Sequence, residues 1–221
     1  MTRRPAREIP RLRWCRPART WPSCPHSPED DPLSLTLAAK DRKAPGIDPD
    51  LPFYPLSIAV LTISDTRTEQ TDTSGGLLAD RLRTAGHTLA AKAIVTDEVE
   101  AIQAQVRAWV ADPAVEVILT TGGTGFAPRD VTPEAVRPLL ARVMDGFSIM
   151  FHQASQTTVG ISTLQSRALA GQIDETFIFC VPGSTGACRD AWDLVLALEF
   201  DSRFKPCSLV GQIPRYRGVC S

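Results

Sequence analysis

The chain is expected to adopt an α/β fold, a three-layer α/β/α sandwich around a mostly parallel sheet. Two observations predict this. Short apolar runs rich in β-branched residues, suited to strands buried on both faces, alternate from Leu56 onward with stretches whose apolar residues recur at helical spacing. The crossovers between them are short, which implies parallel strands with helices on both sides of the sheet.

Each element follows from local chemistry. Leu56 to Ile63 is a nearly continuous apolar run and the first strand, where the ordered domain is expected to start. Thr73 or Ser74 is placed to cap a helix carrying Leu77, Leu78, Leu82 and Ala85 inward, and Gly86 supplies the left-handed residue that ends it. Leu89 to Val95 is a second strand. Val99, Ile102, Val106, Trp109 and Val110 mark the next helix, which Asp112 and Pro113 stop before a third strand, Val115 to Thr120. Thr132-Pro-Glu opens a further helix: the threonine caps, the proline sits in the first turn where no amide hydrogen is missed, and the glutamate complements the dipole. Val136, Leu139, Leu140 and Val143 form its buried stripe. A helical stretch around Gly146 to Ser155 precedes another buried strand, Phe177 to Val181, and Ala187, Ala191, Leu194, Val195 and Leu198 mark a closing helix.

Residues 1–50 read differently. They hold nine of the eighteen prolines, are rich in arginine and show no apolar periodicity, so a disordered Pro/Arg-rich extension is expected ahead of a domain over residues 55–215. The dense prolines would break the amphipathic helix of an organellar targeting peptide. Lys and Arg number 24 against 25 Asp and Glu, which gives no reason to expect nucleic acid or an anionic membrane as partner. No apolar run approaches the roughly 20 residues of a membrane-spanning helix, and a cytoplasmic location is expected. The six cysteines form no C-x-x-C pair and no Cys/His grouping of the zinc-binding kind, so reduced thiols are expected, with Cys180 a small core residue. His26, His87 and His152 satisfy no ligand spacing and read as structural or exposed.

In a parallel sheet ligands gather at the carboxyl ends of the strands, and four loops fall there: Ser64 to Gly76, Thr96 to Glu98, Thr121 to Asp130, and Pro182 to Gly186. In the third, Gly122, Gly123 and Gly125 lack a Cβ and let successive amides turn toward one point as an anion nest, while Thr121 and Thr124 add hydroxyls; a simple glycine turn is the alternative. No P-loop, G-x-G-x-x-G or G-x-S-x-G pattern accompanies it. Asp97 and Asp130 stand where both carboxylates approach a phosphate at the glycines, which suits Mg²⁺ bound by carboxylates and substrate oxygens; equally, Asp130 caps a helix and Asp97 opens a turn. Arg129 neutralises phosphate or lies in solvent. Ser184 and Thr185 offer hydroxyls and helix-start amides to a second anionic group, or form an ordinary N-cap. Asp65, Asp72 and Ser74 contact a polar ring or belong to a solvated loop.

The segments Thr62-Ile-Ser-Asp65, Asp72-Thr-Ser-Gly75, Thr120-Thr-Gly-Gly-Thr-Gly125, Arg129-Asp-Val-Thr-Pro-Glu-Ala135 and Pro182-Gly-Ser184 occur in this order. Together they closely resemble the MoaB/MogA family of molybdenum cofactor biosynthesis proteins over about Pro55 to Arg215. Ser162-Thr-Leu-Gln-Ser-Arg-Ala168 looks like the MoaB branch, and residues 1–50 have no counterpart in it. The fourth loop reads P-G-S-T-G, where the MogA branch usually has another proline after P-G-x.

The resemblance implies a molybdopterin adenylyltransferase, in which the terminal phosphate of molybdopterin attacks the α-phosphorus of ATP, giving adenylyl-molybdopterin and pyrophosphate with Mg²⁺. It carries the essential acids onto Asp97 and Asp130, which would hold the metal. Nucleotide and phosphate contacts fall on Thr121, Gly122, Gly123, Thr124, Gly125 and Arg129. Pterin contacts fall on Ser64, Asp65, Asp72, Ser74, Gly75, Pro182, Gly183 and Ser184. It further implies a homo-oligomer, trimer or hexamer, and contact with the molybdate insertion protein of the pathway. A second class of function, a molybdopterin carrier or scaffold without chemistry, predicts pterin binding without pyrophosphate release.

Overall fold

The computed structural model describes residues 44–218. Most of the extension expected over residues 1–50 therefore lies outside the described residues, but its last part is ordered. Strand β1 (Gly46–Ile47) pairs antiparallel with β8 (Phe204–Lys205). Beyond it the Ser202 hydroxyl accepts from the Tyr54 amide at 2.8 Å and donates to the Pro52 carbonyl at 2.8 Å. The ordered chain thus begins about ten residues before Leu56. Isolated aromatics, Phe53 against His87 and Tyr54 against Tyr216, anchor it, and such contacts have no periodicity to read.

The main sheet has six strands in the order β3-β2-β4-β7-β6-β5. One place in from the β3 edge lies β2 (Ser57–Ile63), whose residues Ile58 to Ile63 are all buried because parallel neighbours flank it and helices cover both faces. Helix α1 (Thr73–Thr84) leads to the edge strand β3 (Thr88–Val95). Helix α2 (Val99–Val110), with Ile102, Val106 and Trp109 buried, returns the chain across β2 to β4 (Val117–Thr121). Strand order therefore reverses at β2, and the switch opens a crevice beyond the ends of β2 and β4. The parallel set closes with β7 (Thr176–Val181) beside β4.

The second half departs from expectation at three places. Helix α3 (Thr132–Val136) ends early: Pro138 removes an amide donor and the chain continues as a 3₁₀ turn, Arg137–Leu139. Val143 consequently lies in a short edge strand, β5 (Arg142–Val143), and is 42% exposed rather than part of a helical stripe. After α4 (Asp145–Val159), strand β6 (Leu169–Ile173) pairs antiparallel with β7 through a tight turn at Asp174 and Glu175. Asp174 takes φ +49°, a left-handed conformation that aspartate tolerates. Last, α5 (Thr185–Ala191) passes through a π-helical turn, Trp192–Leu196, into α6 (Ala197–Glu199). The wider turn resets the phase, so Cys188, Trp192, Leu196 and Phe200 face the core while Leu194 and Leu198 are about half-exposed, against the expected stripe. The expected burial of Ala85 on α1 also fails, since that residue is exposed past the helix end.

Two apolar clusters sandwich the sheet. One joins α1, α4 and α5 to Ile58, Val60, Leu119 and Phe179; the other joins α2 and α3 to Ala59, Leu61, Ile118 and Ile178. Alternate residues of each central strand point into opposite clusters, which is the three-layer arrangement expected from the sequence. Among the described residues no helix is long and apolar enough to cross a membrane. Cys180 and Cys188 are buried thiols whose pKa values burial raises to about 12 and about 11, so neither ionises near neutral pH.

Candidate functional site

Because β2, β3, β4 and β7 are parallel, their carboxyl ends share one edge and the four loops start side by side. The Ser64 amide donates to the Val95 carbonyl at 2.9 Å and the Gly122 amide to the Val181 carbonyl at 3.1 Å. The glycine loop after β4 then turns with φ +109° at Gly122 and +62° at Gly123, conformations that L side chains rarely adopt. Gly183 passes so close that a Cβ on it would lie 3.1 Å from the Gly122 Cα. Glycine is required at Gly122, where a Cβ would also overlap the Ile63 carbonyl, and a Cβ on Gly183 would crowd the crossing of the third and fourth loops.

The two acids come to this loop from different directions. A Cβ on Gly123 would stand 3.3 Å from Asp97 Oδ1, and one on Gly125 would stand 2.6 Å from Asp130 Oδ2, so both carboxylates flank the same backbone. Asp130 Oδ2 accepts from the Ala127 amide at 2.8 Å and closes the turn ahead of α3. Thr132, expected to cap α3, instead donates its hydroxyl to the Gly122 carbonyl at 2.8 Å, because it lies within the helix and the cap position is Val131. Asp97 Oδ2 accepts from the Asp65 amide at 2.9 Å. Its carboxyl is pushed above the ordinary range by partial burial and by the charges of Asp65 and Asp130, with the Asp65 amide and Arg129 opposing.

Arg129 ties three loops together. It reaches both Asp65 oxygens at 2.9 and 2.8 Å and Glu98 Oε1 at 2.5 Å. The Arg129 guanidinium and then the Asp97 amide hold the Asp65 carboxyl below its usual range. In this state the guanidinium is occupied by carboxylates.

Several other expected contacts are committed within the protein. Asp72, not Thr73 or Ser74, caps α1: its Oδ1 accepts from the Gly75 amide at 2.9 Å, and its Oδ2 from the Thr62 hydroxyl at 3.0 Å and from Lys92 Nζ at 2.6 Å. Its side chain is wholly buried, and Ser74 is 4% exposed. Thr121 donates to the Pro182 carbonyl at 3.0 Å, so its hydroxyl joins the third and fourth loops, and Thr124 is buried. Ser64 Oγ accepts from the amides of Thr66 and Arg67 at 3.2 Å each and shapes the first loop. Ser184 caps α5, accepting from the Ala187 amide at 3.2 Å.

A cavity of about 250 Å³ opens beside the fourth loop, walled by Phe151, Val159 and Pro182 and edged by Ser155, Thr163, Ser166 and Ser184. Two of its hydroxyls, Thr163 Oγ1 and Ser166 Oγ, are buried without a hydrogen-bond partner. Buried orphan donors beside an apolar wall suit a flat ring carrying heteroatoms. Thr163 and Ser166 lie in the Ser162 to Ala168 segment that resembles the MoaB branch, but with no catalytic spacing there the sequence does not mark either as a contact. A larger cavity, about 360 Å³, opens near Glu116 and Asp174 at the amino ends of the strands, away from the glycine loop. Among the described residues no group of three or more His, Cys, Asp or Glu stands close enough to hold a metal ion. A cation at Asp97 and Asp130 would need ligand oxygens to complete its shell, the manner in which Mg²⁺ binds beside phosphates.

Residues 59–200 match the family model described as the probable molybdopterin binding domain. Molybdenum cofactor biosynthesis protein B of Escherichia coli strain K12 is 49% identical over 156 residues, covering 71% of this chain and 92% of that protein. Among solved structures, a molybdenum cofactor biosynthesis protein B superposes with TM-score 0.64 at 43% identity, covering 66% of this chain and 91% of that one. The molybdopterin biosynthesis enzyme MoaB of Thermus thermophilus does so with TM-score 0.59 at 34% identity, covering 65% and 91%.

Proposed function

The chain belongs to the family of the probable molybdopterin binding domain, and from that premise we propose that it is a molybdopterin adenylyltransferase of molybdenum cofactor biosynthesis. The terminal phosphate of molybdopterin attacks the α-phosphorus of ATP; a new P–O–P bond forms, the bond to the β-phosphate breaks, and pyrophosphate leaves. One observation carries this reading: carboxylates of Asp97 and Asp130, from different loops, both flank the backbone of the glycine loop, at Gly123 and Gly125. The attacking oxygen is already ionised at neutral pH, so the site must supply position and charge neutralisation more than a base. Amides of Gly123 to Gly125 steady the phosphoryl charge. Asp97 and Asp130 would hold Mg²⁺, which neutralises phosphate charge when bound; the mutual repulsion of Asp97, Asp65 and Asp130 supports a cation there. The cavity beside Thr163 and Ser166 would take the pterin ring, with Pro182 and Ser184 at its rim.

The occupied guanidinium of Arg129 favours a second reading, a molybdopterin carrier without transfer chemistry, since Arg129 is then not free to meet the triphosphate. Incubation with molybdopterin and radiolabelled Mg-ATP separates the two. The first reading expects pyrophosphate release and label in the pterin product, both lost in Asp130→Asn with the fold kept. Pterin binding with no pyrophosphate from the unaltered protein establishes the carrier. The reading includes a cytoplasmic trimer or hexamer that hands its product to the molybdate insertion protein. Exposed Ile149, Met150, Ile161 and Leu164, on α4 and the turn after it, support self-association.

A further inference from the structure

We propose that Arg167 is a positioning residue that holds the glycine loop in its anion-binding shape from beneath, without touching the ligand. This rests on the reading of that loop as a phosphate site. Arg167 comes from the irregular segment between α4 and β6, about forty residues beyond the loop it holds. Its backbone amide donates to the Thr124 carbonyl at 2.8 Å. Its Nε donates to the Gly125 carbonyl at 2.8 Å and one terminal nitrogen to the Asp130 carbonyl at 2.6 Å. The other terminal nitrogen pairs with Glu134 at the start of α3. The guanidinium also lies over the Phe126 ring, 5.3 Å from its centroid, although that ring is 73% exposed.

A peptide unit whose carbonyl is fixed downward has the following amide fixed the opposite way, because the group is planar and trans. Securing the carbonyls of Thr124 and Gly125 therefore aims the amides of Gly125 and Phe126 away from Arg167. The bond to the Asp130 carbonyl sets the residue whose carboxylate flanks the loop. Glycine and an exposed aromatic give such a loop little rigidity of its own, so an external brace is needed to keep successive amides convergent. Only a planar fork of donors spans two carbonyls and a carboxylate at once; a lysine satisfies one of them.

The test uses inorganic pyrophosphate as probe, with calorimetric affinity, melting temperature and amide hydrogen exchange measured on the full chain, Gly123→Ala, Arg167→Lys and Arg167→Ala. Arg167→Lys is expected to stay folded, its melting temperature lowered by only about 2–4 °C for each kcal/mol of bonding lost. It should bind pyrophosphate roughly tenfold or more weakly, the effect of losing about one to two net hydrogen bonds at the loop, with faster exchange confined to residues 122–130. Binding and loop exchange equal to the unaltered protein overturn the proposal, as does acceleration spread through the whole domain. Arg167→Ala is read only if it folds, which is why the lysine variant decides. If pyrophosphate fails to bind even the unaltered protein, the phosphate-site reading falls. Loop exchange in Arg167→Lys then still decides whether this residue braces the loop.

Discussion

Two adjacent glycines of α1 give the sharpest test of how the first loop is held. Gly75→Ala and Gly76→Ala both gain about 1 kcal/mol of helix propensity, yet their surroundings differ. Nothing lies within 4 Å of a Cβ built on Gly76, so this variant should be stabilised by about 0.5–1 kcal/mol. On Gly75 the same atom overlaps the Thr62 hydroxyl and both oxygens of the buried Asp72 carboxylate, coming to 2.9 Å from Oδ1. To make room Asp72 must leave the Gly75 amide or Thr62, losing a buried charge-assisted bond worth about 1.5–3 kcal/mol. Residual crowding adds about 1–3 kcal/mol. After the helical gain is subtracted, Gly75→Ala should be destabilised by about 1.5–5 kcal/mol. Urea unfolding at pH 7 reads both variants, with equal slopes required so that the midpoints compare directly. A Gly75→Ala midpoint equal to or above that of Gly76→Ala would show that Asp72 is not locked between Thr62, Lys92 and the helix start.

Two further outcomes are expected. His87 is buried among Phe53, Trp192 and Phe200 with its Nδ1 accepting from the Leu56 amide at 3.1 Å, and burial lowers its pKa to about 4. The unfolded chain therefore binds a proton there that the folded protein refuses, so stability should be intact above about pH 6.5 and fall as pH drops toward 4. Up to about 3 kcal/mol goes in that window; urea midpoints from pH 7 to 4.5 should show the fall in the unaltered protein and a shallower one in His87→Gln. Ile161, 79% exposed, should matter for assembly and not for folding: Ile161→Asp is expected to reduce the mass measured by light scattering at an unchanged melting temperature. An unchanged mass would separate this face from self-association.

The legible parts of the fold are those written in local chemistry. Ile58 to Ile63 and Phe177 to Val181 are strands because β-branched and aromatic runs have no other way to bury both faces. The glycine loop was readable because only residues without a Cβ fit where Gly122 meets Ile63 and Gly183. Strand β6 was not, since its turn at Asp174 and Glu175 carries no glycine or asparagine signal and the left-handed residue is an aspartate. The π-helical turn after Ala191 leaves no mark in composition, yet it exchanges Leu194 for Leu196 in the core. At the site the sequence pointed to Asp97, Asp130 and the glycines. It did not reveal Arg129 bound to Asp65, 64 residues away, or Arg167 under the glycine loop, because such pairs exist only once the strand ends are assembled.

In the proposed mechanism Asp97 and Asp130 act together on one anion at the glycine loop. The most direct test is pyrophosphate release from Mg-ATP in the presence of molybdopterin, measured for the unaltered protein, Asp97→Asn, Asp130→Asn and the double variant. If the two carboxylates serve one cation, each single change should lower the rate by about a hundredfold or more, and the double variant should be little worse than either alone. Full activity in both single variants, or losses that simply multiply, would mean that the two acids do not share a task.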